Sequence, residues 1–329
     1  MKILIKGDSA RYERYSPGLS VQQTAQITFI PRDADDQTVL KNGADADVLF
    51  VDAISRVSGD LIRRMKNLKM IHSEGVAFDG IDVEAARKQG IYVCNNKGAN
   101  ADAVAEQAIF LMLALLRSGI AGDAAVRSGR QIEMKEQRMR EGITDLGDCQ
   151  VGLVGLGDIG LATARRLSAF GCRLCYYSPH RKAPELEAQY GLTYLPLYRL
   201  AAVSDIVSLH AAVTPDSRGM IDEKFLSHMK RSAFLVNTAR GDLVDNHALR
   251  AALIQGLIAG AGLDTVSPEP VTADNPLVTL PTSCRDRVVF SPHLGGITTG
   301  SFRRMHRTMW ENASRIERGE KPVNIVNGL

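Results

Sequence analysis

The chain has 329 residues and carries 40 Lys and Arg against 37 Asp and Glu, a formal charge of +3. At ~150 residues per domain this length predicts two domains, each able to bury a core. The balanced charge offers no electrostatic footprint for nucleic acid. The longest apolar run, residues 108–116, is under half of the ~20 residues needed to cross a bilayer, so no membrane partner is expected.

The opening MKILIKG reads as a short strand and lacks the long apolar core of a signal peptide. Cys94, Cys149, Cys172, Cys175 and Cys284 form no disulfide framework in a chain this long and point to reduced thiols in a cytoplasmic protein. Cys172 and Cys175 make one C-x-x-C with no second pair, so no metal site is expected.

In chain order, strand-like runs stand at 3–5, 48–51, 70–72 and 92–94. A long apolar helix follows, from Asp102 to Leu116, with Asn100 or Asp102 as its candidate N-cap. Residues 119–141 are charged, helix-prone and interrupted by glycines, the pattern of a surface arm; a solvated excursion and an oligomer contact both suit it. Further strand-like runs follow at 150–154, 173–177, 206–210, 233–237, 260–263 and 288–290. Strands alternating with helices predict an α/β architecture of parallel sheet joined by right-handed crossovers.

The run V-G-L-V-G-L-G-D-I-G over 151–160 is an apolar strand entering G-x-G-x-x-G, followed by an apolar helix (Leu161, Ala164, Leu167, Phe170). Gly155 permits a tight turn, Gly157 lets backbone approach a pyrophosphate, and Gly160 lets helix pack on strand. The helix start then presents free N–H groups and a positive dipole end to the phosphates. Gly155, Leu156, Gly157, Asp158, Ile159 and Gly160 are therefore expected to bind a dinucleotide. About 20 residues on, an NAD site places an acid for the ribose 2′-OH. This chain reads Tyr176-Tyr177-Ser178-Pro179-His180-Arg181-Lys182, with Ser178 in that place and Arg181 near enough to pair with a 2′-phosphate. The expectation is NADP in preference to NAD.

Three later segments put chemistry at strand ends: Asn237-Thr238-Ala239-Arg240-Gly241, Asp264-Thr265-Val266-Ser267-Pro268-Glu269-Pro270 and Ser291-Pro292-His293-Leu294-Gly295-Gly296. Ligands of open α/β sheets bind at that edge. A guanidinium there can clamp a carboxylate with two bonds, and an imidazole can move a proton.

With these motifs the chain resembles the D-isomer-specific 2-hydroxyacid dehydrogenases over essentially its whole length. G-L-G-D-I-G, N-T-A-R-G, L-D-x-x-x-P-E-P and S-P-H-x-G-G occur in that family's order and approximate spacing. The resemblance implies catalytic roles for Arg240 on the substrate carboxylate, His293 as general acid and base, and Glu269 as the group orienting His293. It implies that Asp264 bonds the nicotinamide carboxamide and that Val104 packs near the ring. His210, Ala211, Thr238, Ala239, Gly295 and Gly296 would lie along the cofactor. Gly75, Val76 and Ala77, in S-E-G-V-A-F-D-G-I-D, resemble the family loop whose backbone N–H groups hold the substrate carboxylate. Ala77 stands where Gly is usual, Gly80 where Asn is usual, Asn96-Lys97 replaces Thr-Pro, and Gln107 replaces a His.

The implied fold is a Rossmann domain, residues 100–294, inserted into a flavodoxin-like substrate domain of residues 1–99 and 295–329, with 102–145 as the dimerisation helix and arm of a homodimer. The implied activity is hydride transfer between NADP, or NAD, and a small 2-keto or 2-hydroxy acid of the D series, such as glyoxylate or hydroxypyruvate. The same resemblance takes in phosphite and formate dehydrogenases and corepressor-like NAD(P)-sensing scaffolds, which turnover of a 2-keto acid separates. Phe78, Arg303, His306 and Trp310 are candidates to shape substrate choice.

Overall fold

Short runs with no polar face, such as VLFV at 48–51 and QVGLV at 150–154, suit strands covered on both sides, the signature of parallel sheet. The computed structural model describes all residues from Met1 to Leu329. Its chain divides into two units, residues 1–100 with 297–329, and residues 101–296. The second unit runs two residues past the boundary expected at 294, because the Gly295 N–H is bonded to Asp264 Oδ2 (2.9 Å).

In the first unit, β1 (Lys2–Lys6), β2 (Gln26–Ile30), β3 (Val48–Val51), β4 (Met70–Ser73) and β5 (Tyr92–Cys94) form one parallel sheet in the order β2-β1-β3-β4-β5. This is the flavodoxin-like order. The chain returns to this unit in the helix Thr299–Glu317, which opens with the Thr298 side chain accepting the Ser301 N–H. Met309, Trp310, Ala313 and Ile316 of that helix share a core with Ile3, Ile5 and Phe50. The Trp310 and Phe50 rings meet edge to face at 5.1 Å. Trp310 is thus core, and Arg303 faces solvent.

In the second unit, β6 (Gln150–Val154), β7 (Arg173–Tyr177), β8 (Leu192–Tyr194), β9 (Ile206–Leu209), β10 (Phe234–Asn237), β11 (Gly260–Leu263) and β12 (Val288–Phe290) form a parallel sheet in the order β12-β11-β10-β9-β6-β7-β8. The strand order reverses beside β6, whose Val154 pairs with Leu209 on one side and Tyr177 on the other. That reversal is the switch point of a doubly wound Rossmann sheet, where a crevice opens for ligand. Two strands had no sequence signal, β2 and β8. Both are at sheet edges and carry partly exposed positions in QITFI and LTY. Covered on one side at most, they have no need of an unbroken apolar run.

The helix Ala101–Leu116 buries nine side chains, among them Ala108, Leu111 and Met112, and shares a core with Val151, Leu153 and Leu174. Neither expected cap closes it. Asn100 Oδ1 is buried without a donor, and Asp102 lies inside the first turn, paired with Arg165 (2.8 Å) and Arg166 (2.9 Å). No single helix is long and apolar enough to cross a membrane. The arm forms two helices, Gly119–Arg127 and Gln131–Glu141, which between them bury only Ala125. Cys172 and Cys175 do not act together: one thiol donates to Leu146 O (3.1 Å), the other lies 3.7 Å from Ser204 Oγ.

Candidate active site

The glycine loop leaves β6 and enters the helix Asp158–Phe170, whose N-cap is Gly157 with no side-chain cap. Two of the glycines answer to the protein itself. Gly155 has φ +96°, and a Cβ there would stand 2.6 Å from the Ala211 nitrogen and the His210 carbonyl carbon. A Cβ on Gly160 would stand 2.4 Å from Gly155 O. Gly157 differs: its φ of −84° suits any residue, and a Cβ would meet nothing within 4 Å. Nothing in the chain requires that side chain to be absent. An exposed, uncapped helix start with open space above a glycine fits the pyrophosphate of a dinucleotide.

Past the carboxyl ends of β9, β10 and β11 several buried polar atoms lack protein partners. His210 immediately follows β9, with Nε2 3.0 Å from Ser208 Oγ and Nδ1 unpartnered; burial pushes its imidazole down to about 4. Thr238 Oγ1 and Thr265 Oγ1 are likewise buried without a partner. Val104 is buried at 5 % exposure. Orphaned polar atoms are rare in protein interiors, and a bound ligand is one way to satisfy them.

At the end of β7, Ser178 is buried and its hydroxyl donates to His180 O. Arg181 does not stand free. Its Nε and Nη2 donate to the two oxygens of Glu187 at 2.9 and 2.8 Å, and Tyr176 OH donates to the same carboxylate at 2.7 Å. Hydrogen bonds from Arg181, then from Tyr176, hold Glu187 down at about 2. The guanidinium is thus oriented while its side chain stays 63 % exposed.

The reactive groups lie at the carboxyl ends of the neighbouring strands β10, β11 and β12. Buried Asn237 shapes the first turn, its Oδ1 accepting the Ala239 N–H (3.0 Å) and its Nδ2 donating to Arg240 O (2.9 Å). Arg240 Nη1 donates to Ala239 O (2.8 Å), and the guanidinium forms no ion pair with any carboxylate. His293 Nδ1 lies 2.7 Å from Glu269 Oε1, with both side chains 44 % exposed. Its Nε2 has no protein partner.

Asp264, expected at the nicotinamide, does something the sequence did not reveal. Its Oδ1 accepts from Ser291 Oγ (2.5 Å) and the Leu294 N–H (2.9 Å), its Oδ2 from the Gly295 N–H (2.9 Å), and its carbonyl from the His293 N–H (2.9 Å). Gln107 Nε2 donates to Ser291 Oγ (2.8 Å). The carboxylate therefore clamps both sides of His293, which has the left-handed φ of +56°. That conformation is costly for a residue with a Cβ and persists only where the surroundings over-determine it. Ser291 and Gln107 are positioning residues that motif reading missed. Their sequence signals were a Ser two places before the His and a Gln at the position where the resembling family has a His.

In the first unit, the loop after β4 has its carbonyls tied inward. Asn96 Nδ2 donates to Ser73 O (3.1 Å) and Glu74 O (2.9 Å), Asn96 N–H to Gly75 O (2.9 Å), Asn95 Nδ2 to Val76 O (2.7 Å) and Ser73 Oγ to Ala77 O (2.6 Å). The Val76 and Ala77 amides donate to no protein acceptor.

The model of the D-isomer specific 2-hydroxyacid dehydrogenase NAD binding domain matches residues 109–295. A glyoxylate reductase of Korarchaeum cryptofilum is 37% identical over 291 residues, 88% of this chain and 86% of that protein. The chain belongs to the D-isomer specific 2-hydroxyacid dehydrogenase family. The structure of D-lactate dehydrogenase with NAD+ from Lactobacillus jensenii superposes with a TM-score of 0.83 at 26% identity, covering 99% of both chains. The apo D-mandelate dehydrogenase of Rhodotorula graminis gives a TM-score of 0.85 at 25% identity, covering 99% of this chain and 97% of that one. This dehydrogenase is an NAD(P)-dependent 2-hydroxyacid oxidoreductase built on the expected pair of α/β folds.

The contrast among the glycines of the dehydrogenase is directly measurable. Gly160→Ala drives a Cβ into a backbone carbonyl and should destabilise the fold by ~1–3 kcal/mol in thermal denaturation. Gly157→Ala should leave the unfolding midpoint near wild type and weaken binding of the reduced nicotinamide dinucleotide by about tenfold in a fluorescence titration, roughly 1.4 kcal/mol. Equal loss of stability in the two variants would contradict this division of roles.

Proposed function

We propose that this dehydrogenase reduces a small 2-keto acid, glyoxylate or hydroxypyruvate, to its D-2-hydroxy acid, with NADPH preferred over NADH. The observation that carries the reading is the His293–Glu269 pair at 2.7 Å, with Nε2 of His293 unengaged and the unpaired guanidinium of Arg240 on the same sheet edge. The name of the Korarchaeum cryptofilum relative, a glyoxylate reductase, supports the substrate class.

A bound reduced nicotinamide supplies the hydride that reaches the keto carbon. Arg240 holds the substrate carboxylate with paired N–H donors and draws electron density toward the carbonyl oxygen. His293 Nε2 donates a proton to that oxygen as charge develops; in the oxidising direction it takes the proton from the hydroxyl. Glu269, bonded at Nδ1, fixes the ring plane and compensates the charge of the protonated ring. Asp264 acts from beneath, holding the loop that carries His293, and in the same reading meets the nicotinamide carboxamide. Gly75, Val76 and Ala77 supply backbone donors to the substrate carboxylate, and the two free amides support that role. Gly155 to Gly160 hold the pyrophosphate, while Val104, His210, Ala211, Thr238, Ala239, Gly295 and Gly296 border the rest of the cofactor.

The cofactor preference rests on Ser178 and Arg181. A serine at the end of β7 removes the carboxylate that would repel a 2′-phosphate, and Arg181, oriented by Glu187, keeps Nη1 to donate. One charge-assisted bond contributes ~1.5–3 kcal/mol, roughly ten- to hundredfold in affinity. Glu187 offsets part of the charge, so the lower end of that range is expected.

Steady-state kinetics with glyoxylate and hydroxypyruvate test the reading. Wild-type kcat/KM should be about tenfold higher with NADPH than with NADH. His293→Ala should lose ~10²–10⁴ in kcat while cofactor binding survives. Near-normal turnover in that variant would remove the proposed acid, and a clear NADH preference would remove the role of Arg181.

We also propose that the dehydrogenase is a homodimer joined through residues 102–145. Ile120, Val126, Ile132 and Met139 of the arm are 58–74 % exposed, and Val126, Met134 and Met139 line a groove of about 530 Å³. Apolar groups grouped in this way favour burial against a partner. Sedimentation should show a dimer for wild type and a monomer for Ile132→Asp combined with Met139→Asp; a monomeric wild type defeats the proposal.

A further inference from the structure

The first unit buries an ionic cluster that the chemistry above does not use. Arg11, in the helix Ser9–Arg14, donates Nε to Glu74 Oε1 (2.8 Å) and Nη2 to Glu74 Oε2 (2.5 Å) and Asp52 Oδ2 (2.9 Å). From the C-terminal helix, His306 Nε2 lies 2.8 Å from the same Glu74 Oε1. The Glu74 and His306 side chains are 4 % and 0 % exposed. The imidazole is wedged among rings, with centroids 4.6 Å from Tyr12, 5.8 Å from Tyr15 and 6.3 Å from Phe302.

Stability alone is a poor reason for such a cluster. Taking carboxylates and a guanidinium out of water is costly, and well-packed apolar side chains of similar volume commonly do as well. The position of the cluster is more telling. Glu74 immediately precedes Gly75, Val76 and Ala77, at the carboxyl end of β4. Asn95 and Asn96 hold that loop by its carbonyls. Glu74 holds it by a side chain, joined to the chain's first helix and to its last. Donor groups aimed at a carboxylate bind best when held in place before the ligand arrives, because no ordering cost then falls on binding.

We propose that Glu74, gripped by Arg11 and His306, is a positioning residue that keeps the Val76 and Ala77 amides in their carboxylate-binding arrangement. This rests on the reading of residues 75–77 as a substrate-carboxylate loop. The cluster acts on substrate affinity through that loop and leaves the hydride and proton transfers alone.

The test uses the full-length enzyme with glyoxylate and NADPH. His306→Phe keeps an aromatic ring among Tyr12, Tyr15 and Phe302 but deletes the donor to Glu74, whereas His306→Gln keeps an N–H donor. Glu74→Gln removes the charge at constant shape. The expected result is a glyoxylate KM raised at least tenfold in His306→Phe and Glu74→Gln, and oxalate inhibition weakened in parallel. In both variants kcat and the NADPH KM should stay within twofold of wild type, and His306→Gln should recover most of the glyoxylate KM. A wild-type glyoxylate KM in either folded variant overturns the proposal. So does a loss shared equally by kcat and both KM values, or failure of both variants to fold, since each assigns the cluster to general stability. The loop reading is tested separately by Ala77→Pro, which deletes one of the two amides. An unchanged glyoxylate KM there strikes the loop assignment, and absence of any 2-keto acid turnover by wild type strikes the proposed function.

Discussion

The site in the second unit depends on one buried carboxylate. Asp264 sits at the end of β11 at 3 % exposure, and accepts from Ser291, Leu294 and Gly295 through its side chain and from His293 through its carbonyl. A buried carboxylate is costly unless its oxygens find hydrogen-bond donors. Here the donors belong to the loop that carries His293. Satisfying Asp264 and placing His293 are the same event, and the left-handed backbone of His293 is stabilised by the bonds on either side of it. Glu269 then has to orient only the ring, at 2.7 Å from Nδ1. A catalytic side chain on a loop gains the precision of the sheet when its loop is hydrogen-bonded to a strand end.

The glycine loop after β6 shows a second kind of constraint. Gly155 and Gly160 are demanded by contacts with Ala211, His210 and each other; any residue with a Cβ would disrupt the strand-to-helix junction even in an empty protein. Gly157 is demanded by nothing internal. Open space above such a glycine suits the close approach of a dinucleotide's phosphate. The ribose end is less simple. Arg181 looked from the sequence like a free cation near a missing acid, yet Glu187 six residues on takes two of its donors. The pairing orients the guanidinium and weakens its field. Both effects follow from the loop ahead of the helix Pro184–Tyr190, whose first turn carries Glu187, an arrangement a linear motif does not describe.

In each unit, polar side chains from distant segments fix a short loop. Gln107 and Ser291 lie 184 residues apart in sequence and 2.8 Å apart in space. Glu74 and His306 are separated by 232 residues and bonded at 2.8 Å. Both pairs back a loop, and both connect elements from opposite ends of their units.

From residues alone, the strands buried on both faces, the glycine loop and the strand-end order of Arg240, Glu269 and His293 were legible. Those features are local: period, turn chemistry and spacing are written within a few residues. The edge strands β2 and β8 escaped because partial exposure erases the apolar run. Asn100 did not cap its helix, since capping depends on the angle at which the chain enters. The clamp by Asp264, the pairing of Arg181 with Glu187 and the burial of His306 beside Glu74 belonged to the tertiary structure. The first and last join groups whose meeting depends on how distant elements pack, which the sequence pattern leaves open; Arg181 and Glu187 are six residues apart, and their pairing depends on how the loop ahead of the helix Pro184–Tyr190 turns.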